Sequence, residues 1–282
     1  MQIKFWGVRG SIAVPNRRML RYGGNTSCVE VTLADGTEII LDAGTGIREL
    51  GEARTAKAKI VRVLLTHLHL DHIQGLLFFR PLFDPTNEIT VYGPQAPGPN
   101  LNQRLARYLS EPLSPIDLHE LPARVAFTHC PHHEWKIGSA VVEAAIVAHR
   151  GVTLGYRITE GDATLCYLPD HEPALGAPVA GAEPAWISGI GLATGASVLI
   201  HDVQYTDDEY AARVGWGHSG VTDAVTFAHR AEVQRLIMFH HDPTHDDMML
   251  DQLGGQARRA WERAGHDPAT VSLAAEGESI TI

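Results

Sequence analysis

The residues best suited to chemistry lie in one short stretch, Thr66 to His72, which reads T-H-L-H-L-D-H. Imidazole nitrogens and carboxylate oxygens are ligands that zinc and similar divalent metals accept in proteins. Residues two apart in an extended turn project to the same side, so His67, His69 and Asp71 can face one cavity. Solvated loop histidines are the alternative interpretation. Four metal-competent side chains separated only by leucines favour a metal site.

The flanking elements place this stretch at the end of a strand. Residues 59–65 are apolar and β-branched, which is typical of a buried strand, and residues 73–79 have helical length and apolar content. A strand therefore delivers the cluster to the loop at its carboxyl end, where open α/β sheets usually bind ligands. Four such side chains are too many for one catalytic metal that keeps an open position. The sequence therefore predicts two metal ions, with further ligands from later in the chain.

The pattern His-x-His-x-Asp-His after a buried strand resembles the metallo-β-lactamase superfamily. Phrases that begin at Phe5 (F-W-G-V-R-G-S), Tyr22 (Y-G-G-N-T-S-C) and Leu41 (L-D-A-G-T-G) are similar to a bacterial branch of it, near ribonuclease Z and the phosphoribosyl cyclic-phosphate phosphodiesterases. Relatives in this neighbourhood also degrade cyclic nucleotides. The resemblance extends from Ile3 to about Asp247.

The resemblance implies further metal ligands, each at the end of a predicted strand. His149 is expected to complete one metal site, and Asp170 to bridge the two ions. The last ligand of the family lies three positions before a proline, which selects His240, with His241 as the alternative. The expected sites are therefore, in full, His67, His69 and His149 for one metal and Asp71, His72 and His240 for the other, with Asp170 between them.

A candidate proton donor lies in the phrase G-W-G-H-S-G, ahead of a predicted helix. His218 and Ser219 resemble the His-Ser-Thr phrase of ribonuclease Z, whose histidine contacts the scissile phosphate or donates a proton. Asp202, in a predicted strand, is placed to hold that imidazole. The alternative is a flexible His218 with Ser219 as a helix cap. The expected mechanism has Asp71 orient a hydroxide that bridges the metals, while His218 protonates the leaving alkoxide.

Several other residues keep two interpretations. The resemblance implies that Asp42 holds the loop with the histidine cluster from outside the ligand set, whereas the alternative is a cap for a helix over residues 47–50. Residues 84–136 are the least regular part of the chain, with a Pro-broken connection in their second half. Cys130 has no ligand spacing typical of structural zinc. The histidines without an assigned role are His129, His132, His133, His171 and His245.

Strand signals in the first part of the chain indicate the architecture. Residues 27–33 alternate in polarity, Asp35-Gly36 is a hairpin signal, and residues 38–42 form the return strand. Early antiparallel strands followed by strand–helix units favour an α/β fold. We expect an αββα sandwich, with two packed mixed β-sheets and helices on the outer faces. With no repeat and no linker, residues 1–282 are expected to form a single domain.

Composition limits the class of partner. The chain has 282 residues, 44% hydrophobic content and a formal net charge of −10, so its overall field does not attract nucleic acid. No Lys/Gly-rich arm is present in residues 173–196, which makes tRNA processing a weaker hypothesis. Three widely spaced cysteines favour reduced thiols. With neither a signal peptide pattern nor a membrane-length apolar run, a cytoplasmic protein is expected.

The function predicted from these features is metal-dependent hydrolysis of a phosphodiester, with a small cyclic phosphate or cyclic nucleotide as substrate. Zinc is the first expectation from the ligand types, and manganese or iron suits the same set. Hydrolysis of a lactone or thioester and a non-catalytic metal-binding sensor are the alternatives. The resemblance further implies a homodimer in which a partner loop closes the cleft.

Overall fold

A computed structural model of the chain describes residues 1–54, 60–131 and 133–282. Lys59, at the start of the predicted strand 59–65, and His132 lie outside these described residues. Every other residue proposed for the site lies within them. Among the described residues, no helix combines the length and apolar character needed to cross a membrane.

The first sheet has seven strands and is mixed. Its strands, numbered in chain order, are β1 Gln2–Gly7, β2 Cys28–Thr32, β3 Glu38–Leu41, β4 Ile60–Leu64, β5 Glu88–Gly93, β6 Arg124–His129 and β14 Ser279–Thr281. They lie in the order β14-β1-β2-β3-β4-β5-β6. Neighbours from β14 to β3 are antiparallel, and neighbours from β3 to β6 are parallel.

The second sheet also has seven strands and both kinds of pairing. Its strands are β7 Trp135–Ile137, β8 Ala140–Val147, β9 Thr153–Glu160, β10 Ala163–Leu168, β11 Val198–Asp202, β12 Leu236–Phe239 and β13 Val271–Leu273. Neighbours from β10 to β13 are parallel. β11 and β12 are buried at every position, as expected for strands covered on both faces.

Helices cover the outer faces of both sheets. They are α1 Ile47–Ala53, α2 Leu70–Ile73, α3 Leu101–Ala106, α4 Ile190–Ala193, α5 Asp207–Ala211, α6 Val221–Arg230 and α7 Asp247–Arg263. One apolar core, which includes Phe5 and Tyr156, joins the two sheets. A second core packs α6 and α7 on one sheet, and a third packs α1 and α3 on the other. These layers confirm the predicted αββα sandwich.

One strand was missed by the sequence analysis, and one predicted helix was wrong. The irregular stretch 84–136 contains β6, an edge strand whose residues alternate between exposed and half-buried, so it lacks a strong apolar signal. The predicted helix over 73–79 is replaced by α2, which starts inside the histidine cluster, and a 3-10 turn over Leu76–Phe78. Gly75 lies between them, and a Cβ there would come within 2.0 Å of the Gly44 carbonyl oxygen, so the chain turns at this close approach.

Candidate metal centre

The first group of predicted ligands converges at the end of β4. His67 is 2% exposed, and its ring centroid lies 4.3 Å from that of His69 and 4.9 Å from that of His149. His69 Nδ1 and His149 Nε2 are 3.2 Å apart. One donor atom from each of these three residues and one from Asp170 all lie within 4.8 Å of one another. Three distant parts of the chain thus offer four donors to one point.

The second predicted group assembles beside the first. His72 Nε2 lies 3.4 Å from Asp71 Oδ2 and 3.3 Å from His240 Nε2. His240 Nε2 in turn lies 3.2 Å from Asp71 Oδ2. The three side chains are buried, and their donor atoms all lie within 4.8 Å of one another. The structure therefore brings together the second expected ligand set as well.

Asp170 lies between the two groups and is 1% exposed. Its Oδ1 is 3.8 Å from His67 Nε2 and 3.5 Å from His149 Nε2, on the side of the first group. Its Oδ2 is 3.0 Å from His72 Nε2 and 3.4 Å from His240 Nε2, on the side of the second. One carboxylate therefore presents a different oxygen to each group, which is the geometry a bridging ligand requires.

His218 occupies the edge of this centre with Asp202 behind it. His218 Nδ1 lies 2.6 Å from Asp202 Oδ2 and 4.0 Å from Asp170 Oδ1. Asp202 is fully buried and also accepts hydrogen bonds from the backbone N–H groups of His171, Gln204 and Ser219. The predicted pairing is present in the structure, and the network holds Asp202 in place. Ser219 does not cap α6, because its hydroxyl donates to the His171 carbonyl oxygen.

The Nδ1 atoms of three histidines are held by acceptors outside the donor groups. His72 Nδ1 lies 2.8 Å from Asp42 Oδ2, and His149 Nδ1 lies 2.7 Å from the Gly217 carbonyl oxygen. His240 Nδ1 lies 2.9 Å from Gln204 Oε1. A hydrogen on Nδ1 leaves the lone pair of Nε2 directed into the centre, and such contacts fix both ring orientation and tautomer.

Asp42 holds the metal loop and caps no helix. Besides His72, it accepts hydrogen bonds from the backbone N–H and hydroxyl of Thr66 and from the hydroxyl of Tyr167. The cap position of α1 is taken by Gly46, which makes no side-chain cap bond. Asp42 has a backbone φ of 59°, a left-handed conformation that an aspartate adopts at some cost in energy. Tertiary contacts must therefore stabilise this turn.

Glycines let two of the histidine rings approach the backbone closely. A Cβ at Gly10 would come within 2.4 Å of the His240 ring, and a Cβ at Gly217 within 2.4 Å of His149 Nδ1. Gly217 also has a φ of 91°, which favours glycine. A side chain at either position would displace a donor, so both glycines belong to the framework of the centre.

Buried charge at the centre fits divalent cations. Asp42, Asp71 and Asp170 are all buried, and the ion pairs of the described residues give them only histidines as partners. Burial alone would raise the pKa of Asp170, but His240, His72 and His67 hold it well below its usual range. Ionised carboxylates without Lys or Arg partners are costly to bury unless cations neutralise them.

The histidines of the first group are suited to bind such cations. Burial lowers the pKa values of His67, His69 and His149, so these imidazoles are neutral with a free lone pair. His67 Nε2 is buried and has no hydrogen-bond partner among the described residues. The pKa of His72 is lowered by burial but raised further by Asp170 and Asp42, well above its usual value. A metal cation at this position would replace that proton.

Two residues that support the centre were missed or unassigned in the sequence analysis. Gln204, the acceptor for His240, is one polar residue in a predicted strand and gave no signal. Glu172 is fully buried and accepts hydrogen bonds of 2.8 Å from the backbone N–H groups of both Gly215 and Gly217. These hydrogen bonds from Gly215 and Gly217 to Glu172 fix the position of the loop that carries His218. The nearness of Glu172 to Asp170 in sequence was the only available indication.

Several histidines lie away from the centre. His241 Nε2 donates to the Ala274 carbonyl oxygen, so the structure places His240 and not His241 beside Asp71. His245 Nε2 contacts the Glu209 carboxylate instead of the cleft. His129 ends β6, and the structure assigns no chemistry to it or to His133. Cys130 is buried, with its sulfur 3.2 Å from the Tyr156 hydroxyl.

His171 forms a buried pair with His201 behind the centre. His171 Nδ1 and His201 Nε2 are 2.9 Å apart, and His201 Nδ1 donates to the Asp202 carbonyl oxygen at 2.7 Å. Both rings pack against Phe227. Burial lowers the pKa of His201 to about 4. The pair is therefore a neutral structural element beneath Asp202.

Replacing His201 by Gln is expected to reduce the loss of stability on acidification. The unfolded chain takes up a proton at His201 below about pH 6.5, whereas the folded chain does so only below about pH 4. Between these values the unfolded state binds more protons, so stability falls as the pH falls, by about 3 kcal/mol from this group. Urea denaturation at both ends of the window measures the difference. Equal losses in wild type and His201→Gln would contradict the assignment.

Comparison with known proteins identifies the family. A model of the beta-lactamase superfamily domain matches residues 37–241, which span β3 to the histidine pair after β12. The chain belongs to the beta-lactamase superfamily. Together with relatives named ribonuclease Z and a structural neighbour from the PhnP family of diphosphatases, this assignment confirms the prediction of a metal-dependent hydrolase near ribonuclease Z and the phosphodiesterases.

Individual members of the superfamily are similar along nearly the whole chain. A ribonuclease Z of Trichodesmium erythraeum (strain IMS101) is 27% identical, with 92% of this chain and 90% of the relative covered. A new diphosphatase of the PhnP family superposes with a TM-score of 0.70 at 18% identity, over 100% of this chain and 97% of its own. Zn²⁺-bound PqqB from Methylobacterium extorquens gives a TM-score of 0.69 at 18% identity, with 100% of both chains covered.

These similarities bear on two expectations. The first relative is named for an activity on RNA, and this nucleic-acid signal counts against the expectation that the chain carries no strong one. The PqqB structure contains Zn²⁺, but PqqB resembles the present chain in fold only, at 18% identity. The cluster itself supports divalent metals in general.

Proposed function

We propose that the protein hydrolyses phosphodiesters at a dinuclear metal centre. The expected ligands are His67, His69 and His149 on one side and Asp71, His72 and His240 on the other, with Asp170 between them. The observation that carries this proposal is the His218–Asp202 pair beside Asp170, 4.0 Å from His218 Nδ1 to Oδ1. An alkoxide leaving group needs a proton donor. Cleavage of a strained lactam or lactone depends less on such a donor.

The protein side chains then have distinct roles. Bound divalent cations supply Lewis acidity toward a phosphoryl oxygen and make water acidic enough to attack near neutral pH. Asp71 is positioned by a 2.6 Å hydrogen bond from the Ser11 backbone N–H and orients the attacking water. Asp202 holds Nδ1 of His218, which leaves Nε2 to protonate the departing oxygen. Burial lowers the pKa of His218, but Asp202 raises it to about 9, so the imidazole carries that proton at pH 7.

The proposed substrate is a small cyclic phosphate or cyclic nucleotide. With a net charge of −10, the protein lacks the general attraction for a polyanion that RNA-binding proteins use. The acidic surface discourages long nucleic acids more than a single phosphodiester that enters a cationic centre. Zinc is the first metal we propose, with manganese or iron as substitutes. The homodimer, the cytoplasmic location and the single domain stay predictions.

RNA processing is the second candidate function, because the relative that matches 92% of the chain is a ribonuclease Z. In that case a local basic path to the centre would have to overcome the overall charge. The two candidates share the same centre and differ only in what lies on the far side of the scissile phosphate. A comparison of substrates therefore distinguishes the two candidate functions, whereas mutation of the metal ligands does not.

A substrate comparison with metal-reconstituted protein tests the proposal. We expect Zn²⁺- or Mn²⁺-loaded protein to hydrolyse bis(p-nitrophenyl) phosphate and to leave a panel of lactones and thioesters intact. Cyclic mononucleotides, cyclic dinucleotides, sugar cyclic phosphates and a tRNA precursor with a 3′ trailer are then compared by kcat/KM. Preference for the precursor would favour the second candidate. Tight metal binding without turnover of any substrate would favour a sensor.

A further inference from the structure

An apolar cavity of about 320 Å³ opens between the two sheets at the end that carries the metal centre. It lies between the carboxyl ends of β5 and β6 on one side and the hairpin of β8 and β9 on the other. Its lining includes Gln95, Cys130, Ala144, Ile146, Val152 and Leu154. None of the residues that line it is charged, in contrast to the adjoining centre.

Hydrogen bonds connect the cavity wall to the start of the loop that carries His67, His69 and His72. The Leu154 backbone N–H donates to the Thr66 carbonyl oxygen at 2.9 Å. The Tyr156 hydroxyl, 3.2 Å from Cys130 Sγ, donates to the Leu65 carbonyl oxygen at 2.6 Å. Leu65 and Thr66 directly precede His67, and the turn between β8 and β9 carries His149. The cavity wall is therefore bonded to the segment that leads into His67, and the turn that carries His149 joins the two strands that line it.

Ile146 is an uncovered part of an otherwise buried face. It continues the alternating series Ala140, Val142 and Ala144, whose first two members are buried in the core between the sheets. Yet Ile146 is 72% exposed. Its partner across the ladder is Leu154, another cavity residue. Bare apolar surface inside a cleft next to a reactive centre is typical of a ligand pocket.

The chemistry of the lining defines what fits there. Burial raises the pKa of the Cys130 thiol to about 11, so it is neutral and adds no charge. Gln95 is exposed at the rim and offers an amide that can both donate and accept. Aliphatic walls with one amide suit a flat, uncharged heterocycle, and they do not suit a hydroxylated sugar or a second phosphate.

We propose that this cavity binds the base of a nucleoside phosphodiester, with Gln95 at the edge of the base and Ile146 against its face. This inference rests on the proposed function, since the phosphate would lie at the metal centre while the base lies in the cavity. It narrows the substrate class from cyclic phosphates in general to those that carry a nucleobase.

Two esters with the same leaving group test the inference. Thymidine 5′-(p-nitrophenyl phosphate) carries a base on the retained side, and methyl p-nitrophenyl phosphate carries none. Ile146→Asn is expected to lower the ratio of their kcat/KM values about tenfold, as loss of one apolar contact does in other pockets. Ile60→Asn is the matched control, because Ile60 is an exposed strand isoleucine at the opposite end of β4.

Binding of thymidine alone, measured by saturation-transfer NMR on metal-loaded protein, separates this inference from the proposed function. We expect binding to wild type and Ile60→Asn and its loss in Ile146→Asn. The cavity assignment alone would be overturned if Ile146→Asn hydrolysed both esters with the wild-type ratio of kcat/KM values and still bound thymidine. Loss of thymidine binding in that variant, with no phosphodiester turned over by wild type, would support the cavity and overturn the proposed function.

Discussion

Replacing Asp170 by Asn is expected to cause the largest loss of activity, a decrease in kcat for bis(p-nitrophenyl) phosphate of at least about a hundredfold to a thousandfold. Asp170 is the one carboxylate whose two oxygens face both ligand groups, at 3.0–3.8 Å from four histidines. The neutral amide of asparagine at this position would lack the negative charge that a pair of bound cations requires. Metal analysis of the purified variant should therefore show fewer than two ions per chain.

Asp162→Asn is the control for this experiment, because Asp162 is exposed in the turn at the other end of β10. It should retain wild-type metal content and kcat. If Asp170→Asn kept two ions per chain and lost less than about tenfold in kcat, the bridging role would be wrong. A folded variant, checked by circular dichroism, excludes general loss of structure as the cause.

Replacing His218 by Ala is expected to reduce hydrolysis in proportion to the basicity of the leaving group. For a cyclic nucleotide, whose leaving group is a ribose alkoxide, kcat should fall by about 10²–10⁴-fold, the usual contribution of a positioned general acid. For bis(p-nitrophenyl) phosphate the fall should be far smaller, because p-nitrophenolate departs without a proton. Metal content should stay at the wild-type level, since the six expected histidine and aspartate ligands besides Asp170 are untouched.

The dependence on the leaving group is what identifies an acid. A purely structural His218, or one that acts as a metal ligand, would change both substrates by the same factor. Equal losses on the two substrates, or no loss on either, would therefore contradict the assignment. His229→Ala, at the exposed end of α6, serves as the control and should leave both rates unchanged.

Much of the architecture follows from local pattern. The alternation in residues 27–33, the hairpin signal at Asp35-Gly36 and the apolar segment 59–65 correspond to β2, the turn to β3, and β4. Burial of one or both faces imposes these periodicities, so a single sequence reveals them. Two edge strands were not predicted: β6, whose residues alternate between exposed and half-buried, and β13, which is largely buried but has only three residues.

The donors between His67 and His72 were predicted from the sequence pattern itself, because four metal-competent side chains at the end of a buried strand have few other uses. The family resemblance added His149, Asp170 and His240. The tertiary structure decided which of them meet. His240 and His241 are neighbours with the same chemistry, yet a backbone φ of 59° at His240 turns its ring to Asp71, while His241 points to Ala274. Gln204 and Glu172 act only through partners distant in sequence. Their roles depend on how the two sheets pack, which no local pattern encodes.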